Sequence, residues 1–212
     1  MTGIISDNVG RPSGLIKAAS GGGGGVWTLI KTLTASADGT LSFVNGTDDV
    51  VLDSTYPIYR FSFINIHPSA SSQGGFQFNG RDGSTAYDAT KTTTLFRAYH
   101  FEDDSGSGLG YRTGSDLAQS TGFQRLTDDD DVGVANDSGA SGELLLFNPS
   151  STTYVKHFIS NFNNVQSDSF SINSHMAGYF NVTAAIDAIQ FKFGSGNIDL
   201  GKIKLYGLKD SA

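Results

Sequence analysis

The chain contains no cysteine, so neither a disulfide framework nor a thiolate metal site can hold it together. It has only 4 Pro in 212 residues, and only 17% of its side chains are charged. Without cysteine, stability must come from packing and assembly. Apolar runs are short throughout, and none approaches the ~20 residues that a bilayer-spanning helix needs. Positive charge is scarce as well. The formal net charge of −7 gives the chain the sign of nucleic-acid phosphates and anionic lipid headgroups, so neither nucleic acid nor membrane is expected as a partner. The opening MTGIISDNVGRPSGLIKAAS has no basic region followed by an apolar core, so it does not read as a secretory signal and synthesis in the cytoplasm is expected.

What the chain does have is 27 Gly, 15 Phe and 8 Tyr, a mixture that suits many strands joined by turns. Its length fits one large domain. Residues 1–25 differ from the rest: a short apolar-polar mixture ends in five consecutive glycines, Gly21 to Gly25, whose backbone entropy argues for a hinge. Two segments are therefore expected, an extended N-terminal tethering arm over 1–25 and a β-sandwich over 26–212. The arm is read as held by a partner subunit, with packing back onto its own domain as the other reading.

From Val26 onward, strand-like runs recur at the spacing of sandwiches and barrels. In VWTLIKTLTA the alternation predicts a buried face of Trp27, Leu29, Lys31 and Leu33. DVVLD reads as a strand. YPIYRFSFINIHP sets Ile58, Arg60, Ser62, Ile64 and Ile66 against Tyr59, Phe61, Phe63 and Asn65, and predicts a central strand covered on both sides. GGFQFNG, TTTLFRAYHFE, GFQRLT, DVGVAN, GELLLFNP, TYVKHFISNFNNV and DSFSINSHMAGYFNV follow. Between Asp187 and Lys209, IQFKF and KIKLYGL alternate around a Gly-rich turn, with Ile189, Phe191 and Phe193 on one face. About a dozen strands are more than one flat sheet carries, so two packed sheets are expected. Only TAAIDAIQ has helical flavour, enough for one turn.

Candidate chemistry is sparse. The acidic string Asp128, Asp129, Asp130 and Asp131 could offer oxygens to calcium, but its spacing does not match an EF-hand loop, and a run of like charges commonly marks a solvated turn. His67, His100, His157 and His175 include no pair at ligand spacing on one element, so no metal and no cofactor is expected. His100 and His157 fall inside strands, where they could pair across a sheet. SGSGLG and GSGNI lack the strand, turn and helix context of a nucleophile elbow or a dinucleotide loop, and no paired-carboxylate cleft is evident. An enzyme is not expected. Tyr87, in the turn-rich RDGSTAYDAT, is the aromatic best placed to stack on a sugar.

The two ends together resemble structural proteins of tailed bacteriophages, particularly those of marine hosts. GIISDNVGRPSGLIKAA is similar to the leader that tethers virion surface domains, and AIDAIQFKFGSGNIDLGKIKLYGLK to the closing strands of phage jelly-roll or lectin-like sandwiches. The latter carry a Gly-x-Ile-x-Leu-Tyr-Gly string, here Gly201, Lys202, Ile203, Lys204, Leu205, Tyr206, Gly207. The resemblance implies an all-β jelly-roll or lectin-like fold and a non-enzymatic place on the virion surface, as a capsid decoration protein. It also implies a symmetric assembly, a homotrimer, on the major capsid protein or another virion subunit. Arg11, Leu15, Ile16 and Lys17 would supply the arm's contacts. A tail-fibre or receptor-binding lectin that recognises a host surface glycan stays open beside it.

Overall fold

The computed structural model describes residues 25–128, 132–167 and 169–210. Within them the chain is all-β, with two antiparallel sheets packed face to face as a β-sandwich. The strands are β1 (Trp27–Thr34), β2 (Leu41–Val44), β3 (Ile58–Pro68), β4 (Phe76–Arg81), β5 (Lys91–Phe101), β6 (Ser107–Tyr111), β7 (Gln124–Arg125), β8 (Gly139–Phe147), β9 (Lys156–Gln166), β10 (Phe170–Phe180), β11 (Ala188–Phe193) and β12 (Ile198–Leu208). The large sheet runs β1-β12-β3-β8-β9-β10-β5-β6, and the small one β2-β11-β4-β7. The arm expected over residues 1–25 lies outside the described residues apart from Gly25.

Phenylalanine fills the space between the sheets. Phe191 on β11 stands centrally, its ring centroid 5.2 Å from Phe61 and 5.0 Å from Phe63 of the large sheet, and 6.2, 6.1 and 6.5 Å from Phe43, Phe76 and Phe78 of its own. Most of these contacts are edge-to-face, which sets the positive ring edge against the negative ring face. Phe158, Phe162 and Phe180 continue the layer beneath β9 and β10. A strand that alternates one ring in and one polar side chain out repeats this across both layers, so alternation was a sound guide to most of the architecture.

Several expectations change. The GSGN turn after β11 does not make a hairpin: β11 pairs with β2 and β4, whereas β12 pairs with β1 and β3 in the opposite layer. In β1 the buried face switches, because a register shift between Leu29 and Lys31 inserts Ile30. Trp27 and Leu29 thus stand opposite Leu208 and Tyr206, while Lys31 and Leu33 stand opposite the buried Leu205 and Ile203. Leu29 ends up exposed, and Ile30 and Leu33 join the core. β3 is central, but its second face has no covering layer: Arg60 and Ser62 are half-buried and Ile64 is exposed.

DVVLD is a loop that tucks Val50 and Leu52 into the core. The Asn45 side chain accepts from Leu52 N at 2.8 Å, and the Tyr59 hydroxyl donates to the Asp53 carbonyl at 2.8 Å. GFQRLT shortens to the two residues of β7, and DVGVAN to one bridge, Val132 with Gln166. TAAIDAIQ forms no helical turn, because the Lys156 ammonium takes the carbonyls of Val182, Thr183 and Ala184 that such a turn would use. SGSGLG runs into the edge strand β6, which sequence alternation missed because glycines occupy one of its faces. Within β12 the irregularity at Leu200–Lys202 requires Gly201 at φ 127°, where a Cβ would lie 2.7 Å from the Asn65 carbonyl.

Phe191→Ala should cost about 3–5 kcal/mol, the upper range for a buried aromatic, because the hole opens among five rings at once. Urea unfolding would read this as a fall in midpoint at unchanged slope. A loss under 1 kcal/mol would mean that the layers close over the gap.

Candidate binding face

The residues singled out in the sequence do not converge. Arg11, Leu15, Ile16 and Lys17, and likewise Asp129, Asp130 and Asp131, lie outside the described residues. Tyr87 is half-buried, and its carbonyl accepts from the Asn79 amide at 2.6 Å, so it is part of a pinned loop and not an open platform. Asp128 is no solvated turn carboxylate. It is fully buried, 2.6 Å from Arg97, 2.8 Å from Arg112, and accepts from the Ser115 hydroxyl at 2.8 Å. With two guanidinium groups on one carboxylate there is no electrostatic reason for it to take calcium; it ties the loop after β7 to β5 and to the segment following β6. Among the described residues, no three His, Asp or Glu gather as a metal site. His157 does pair across the sheet, with its register partner Tyr179 on β10 at 5.9 Å, whereas His100 lies 3.3 Å from Asp104.

Two lysines are buried that the sequence reading passed over. Lys91 and Lys156 stand on either side of Phe180 in the register of β5, β10 and β9, facing inward. The signal was present, since Lys156 is in phase with Phe158 and Phe162. Lys156 is held by the three loop carbonyls, whereas Lys91 donates to Gly122 O at 2.6 Å. Burial lowers both amines, and Asp88 and Asp82 respectively oppose the effect; Lys91 falls to about 8. No electrophile or carboxylate partner accompanies either amine in these contacts, so they brace the loops that close this end of the sandwich.

The surface best built for recognition is the outer face of the large sheet, because the small sheet covers only the inner one. Along β10 the outward positions run Tyr179, Ala177, His175, Asn173 and Ser171. Ala177 is the low point, flanked by Thr94 on β5 and the exposed Ile159 on β9. The resulting groove has a volume of about 430 Å³. Tyr179 with His157 walls one end; past Ala177 a second hollow adjoins it, lined by His175, which stacks on the exposed Phe96 at 5.1 Å and 15°. Beyond Phe96, Tyr111 and Leu109 on β6 extend the exposed apolar surface to the sheet edge. At the opposite edge Trp27, Tyr206 and Arg60 make a second aromatic group. The face offers rings, imidazoles, amides and hydroxyls to a partner.

No family model, no curated protein and no solved structure matches the chain.

Lys91 gives a pH test. Its folded pKa lies below the unfolded value of 10.5, so between about pH 8 and 10.5 the unfolded chain binds more protons and stability rises with pH through that window. Below pH 8 the cost of burying the charge is fully present. Lys91→Met should remove this term, so the stability of the wild type minus that of the variant should climb by on the order of 3 kcal/mol from pH 8 to 10.5. A flat difference would show that Lys91 titrates normally. Asp128→Ala should cost about 3–5 kcal/mol, since both guanidinium groups lose the carboxylate they share; a loss under 1 kcal/mol in urea unfolding would refute that role.

Proposed function

We propose that this chain is a non-enzymatic structural protein of a virion surface, a capsid decoration subunit of a tailed phage anchored by residues 1–25. The observation that carries the reading is the lopsided sandwich: eight strands against four, with the broad outer face of the large sheet left open and dressed with Leu29, Phe96, Leu109, Tyr111 and Ile159, all exposed. Such a face suits contact with neighbouring subunits or with a partner presented to the particle's exterior. The likeness of both chain ends to phage virion proteins supports the same reading, and the five glycines suit a tether. Repetition over a lattice would let a weak arm contact hold through many copies. A homotrimer on the major capsid protein or another virion subunit is the assembly this reading entails.

A receptor-binding, lectin-like role is the second reading. The groove over Ala177 favours it, because aromatic walls beside threonine hydroxyls match the amphipathic character of a sugar ring.

The test compares the full chain with one lacking residues 1–25 on undecorated capsids, counting copies per particle by gel densitometry. Binding in hundreds of copies, abolished by the deletion, is the expected result. Absence of capsid binding by the full chain would sink the decoration reading and leave the receptor-binding one standing.

A further inference from the structure

Several of the chain's described cations are held by carboxylates or carbonyls. Arg81 pairs with Asp187 at 2.8 Å, Arg97 and Arg112 share Asp128, and Lys91 and Lys156 are buried on carbonyls. Arg60, Lys202 and Lys204 differ. All three occupy outward positions of the adjoining strands β3 and β12, where Arg60 stands opposite Tyr206, Ser62 opposite Lys204, and Ile64 opposite Lys202. No carboxylate of the described residues lies within ion-pair distance of any of them. The one acid on these two strands, Asp199 at the start of β12, is half-buried and makes no ion pair with any of the three. Glu143, the neighbouring acid on β8, stands across from Ser62 and makes no ion pair with them. In a chain of net charge −7, three uncompensated cations on one patch are a concentration against the overall sign.

Arg60 is also preset. Its guanidinium carbon lies 4.4 Å from the Trp27 ring centroid and 4.9 Å from that of Tyr206, so two rings hold the guanidinium by cation–π contact. Its Nε is buried without a hydrogen-bond partner. Stacking engages the face of a guanidinium and leaves its terminal N–H groups directed outward in the plane, the arrangement that receives a carboxylate by two parallel hydrogen bonds. Lys204 and Lys202 follow along β12 at steps of ~6.8 Å, two residues of a strand each.

We propose that this patch is a binding site for acidic carbohydrate, a carboxylated oligosaccharide of the uronic-acid type. A sugar carboxylate would meet the end of the Arg60 fork, and further carboxylates the two lysines. Three strands away on the same face lies the groove of Thr94, Ile159 and Ala177, whose hydroxyl and apolar lining suits the continuing sugar chain. A peptide fits less well. The patch lies on strands paired on both sides, whose backbone groups are consumed in the ladders, so it offers an extended peptide no main-chain partners; those exist only at the sheet edges. This inference deepens the receptor-binding reading and does not depend on the capsid one.

The test is isothermal titration of the full chain, free of capsids, with hexagalacturonate, neutral hexagalactose and hexaglutamate as probes. Hexagalacturonate should bind best, with affinity falling as sodium chloride is raised. Arg60→Gln should weaken it about tenfold or more, Arg60→Lys by less, and the double variant K202Q/K204Q about threefold. The lysine pair lies on the surface side of β12, so its effect is readable even if Arg60→Gln does not fold. Equal affinity for hexagalactose, preference for hexaglutamate, no binding of hexagalacturonate, or no effect of K202Q/K204Q would each overturn the proposal. Because no capsid is present, failure here is separate from failure of the decoration test.

Discussion

The contact on which this fold depends is the ring of Phe191 reaching from the small sheet between Phe61 and Phe63 of the large one. A four-stranded sheet cannot shield an eight-stranded one by area. It must therefore be anchored where it does overlap, and bulky rings bury the most apolar surface per residue for the least side-chain entropy. Around this anchor the rest of the small sheet follows: Phe43 on β2 and Phe76 and Phe78 on β4 surround the same ring, so all three long strands of that layer converge on one point. What the small sheet leaves uncovered includes the whole outer face of the large one.

The interior is less apolar than the ring network suggests. Lys91, Lys156 and Asp128 are all fully buried, and each closes a loop on the body by satisfying groups that no strand ladder reaches. In a chain without disulfides these polar ties do locally what covalent staples would do elsewhere. They confer registry on segments such as 113–123 and 181–187, where hydrophobic burial alone would allow several packings. The cost is desolvated charge, and for the two lysines, whose amines burial lowers, ionisation is linked to folding.

Much of the fold could be read in advance, since alternation in YRFSF, HFISNF and IQFKF tracks burial in β3, β9 and β11 with few exceptions. Legibility failed where alternation is mimicked or erased. Val50 and Leu52 alternate yet belong to a plugging loop, and β6 has glycines in place of one face. The partner of a strand is also invisible to a local pattern, which is why β11 and β12 looked like a hairpin although they belong to opposite layers. The candidate site was the least legible part. Tyr87 and Asp128 were conspicuous because of their neighbours in sequence, whereas Arg60, Tyr206 and Trp27 are brought together from three strands by pairing alone.

The position of β1 has a mechanical side. It is an edge strand bonded to the body through β12 only, and its ladder is broken between Leu29 and Lys31. Tension applied ahead of Trp27 would therefore load the short stretch Trp27–Leu29 first and peel it before the stretch from Lys31 to Thr34 felt the full force. The bulge acts as a fuse. Since Trp27 is one of the two rings under Arg60, a pull on the N-terminus would dismantle the cationic platform while leaving the phenylalanine layer, and so the folded body, intact.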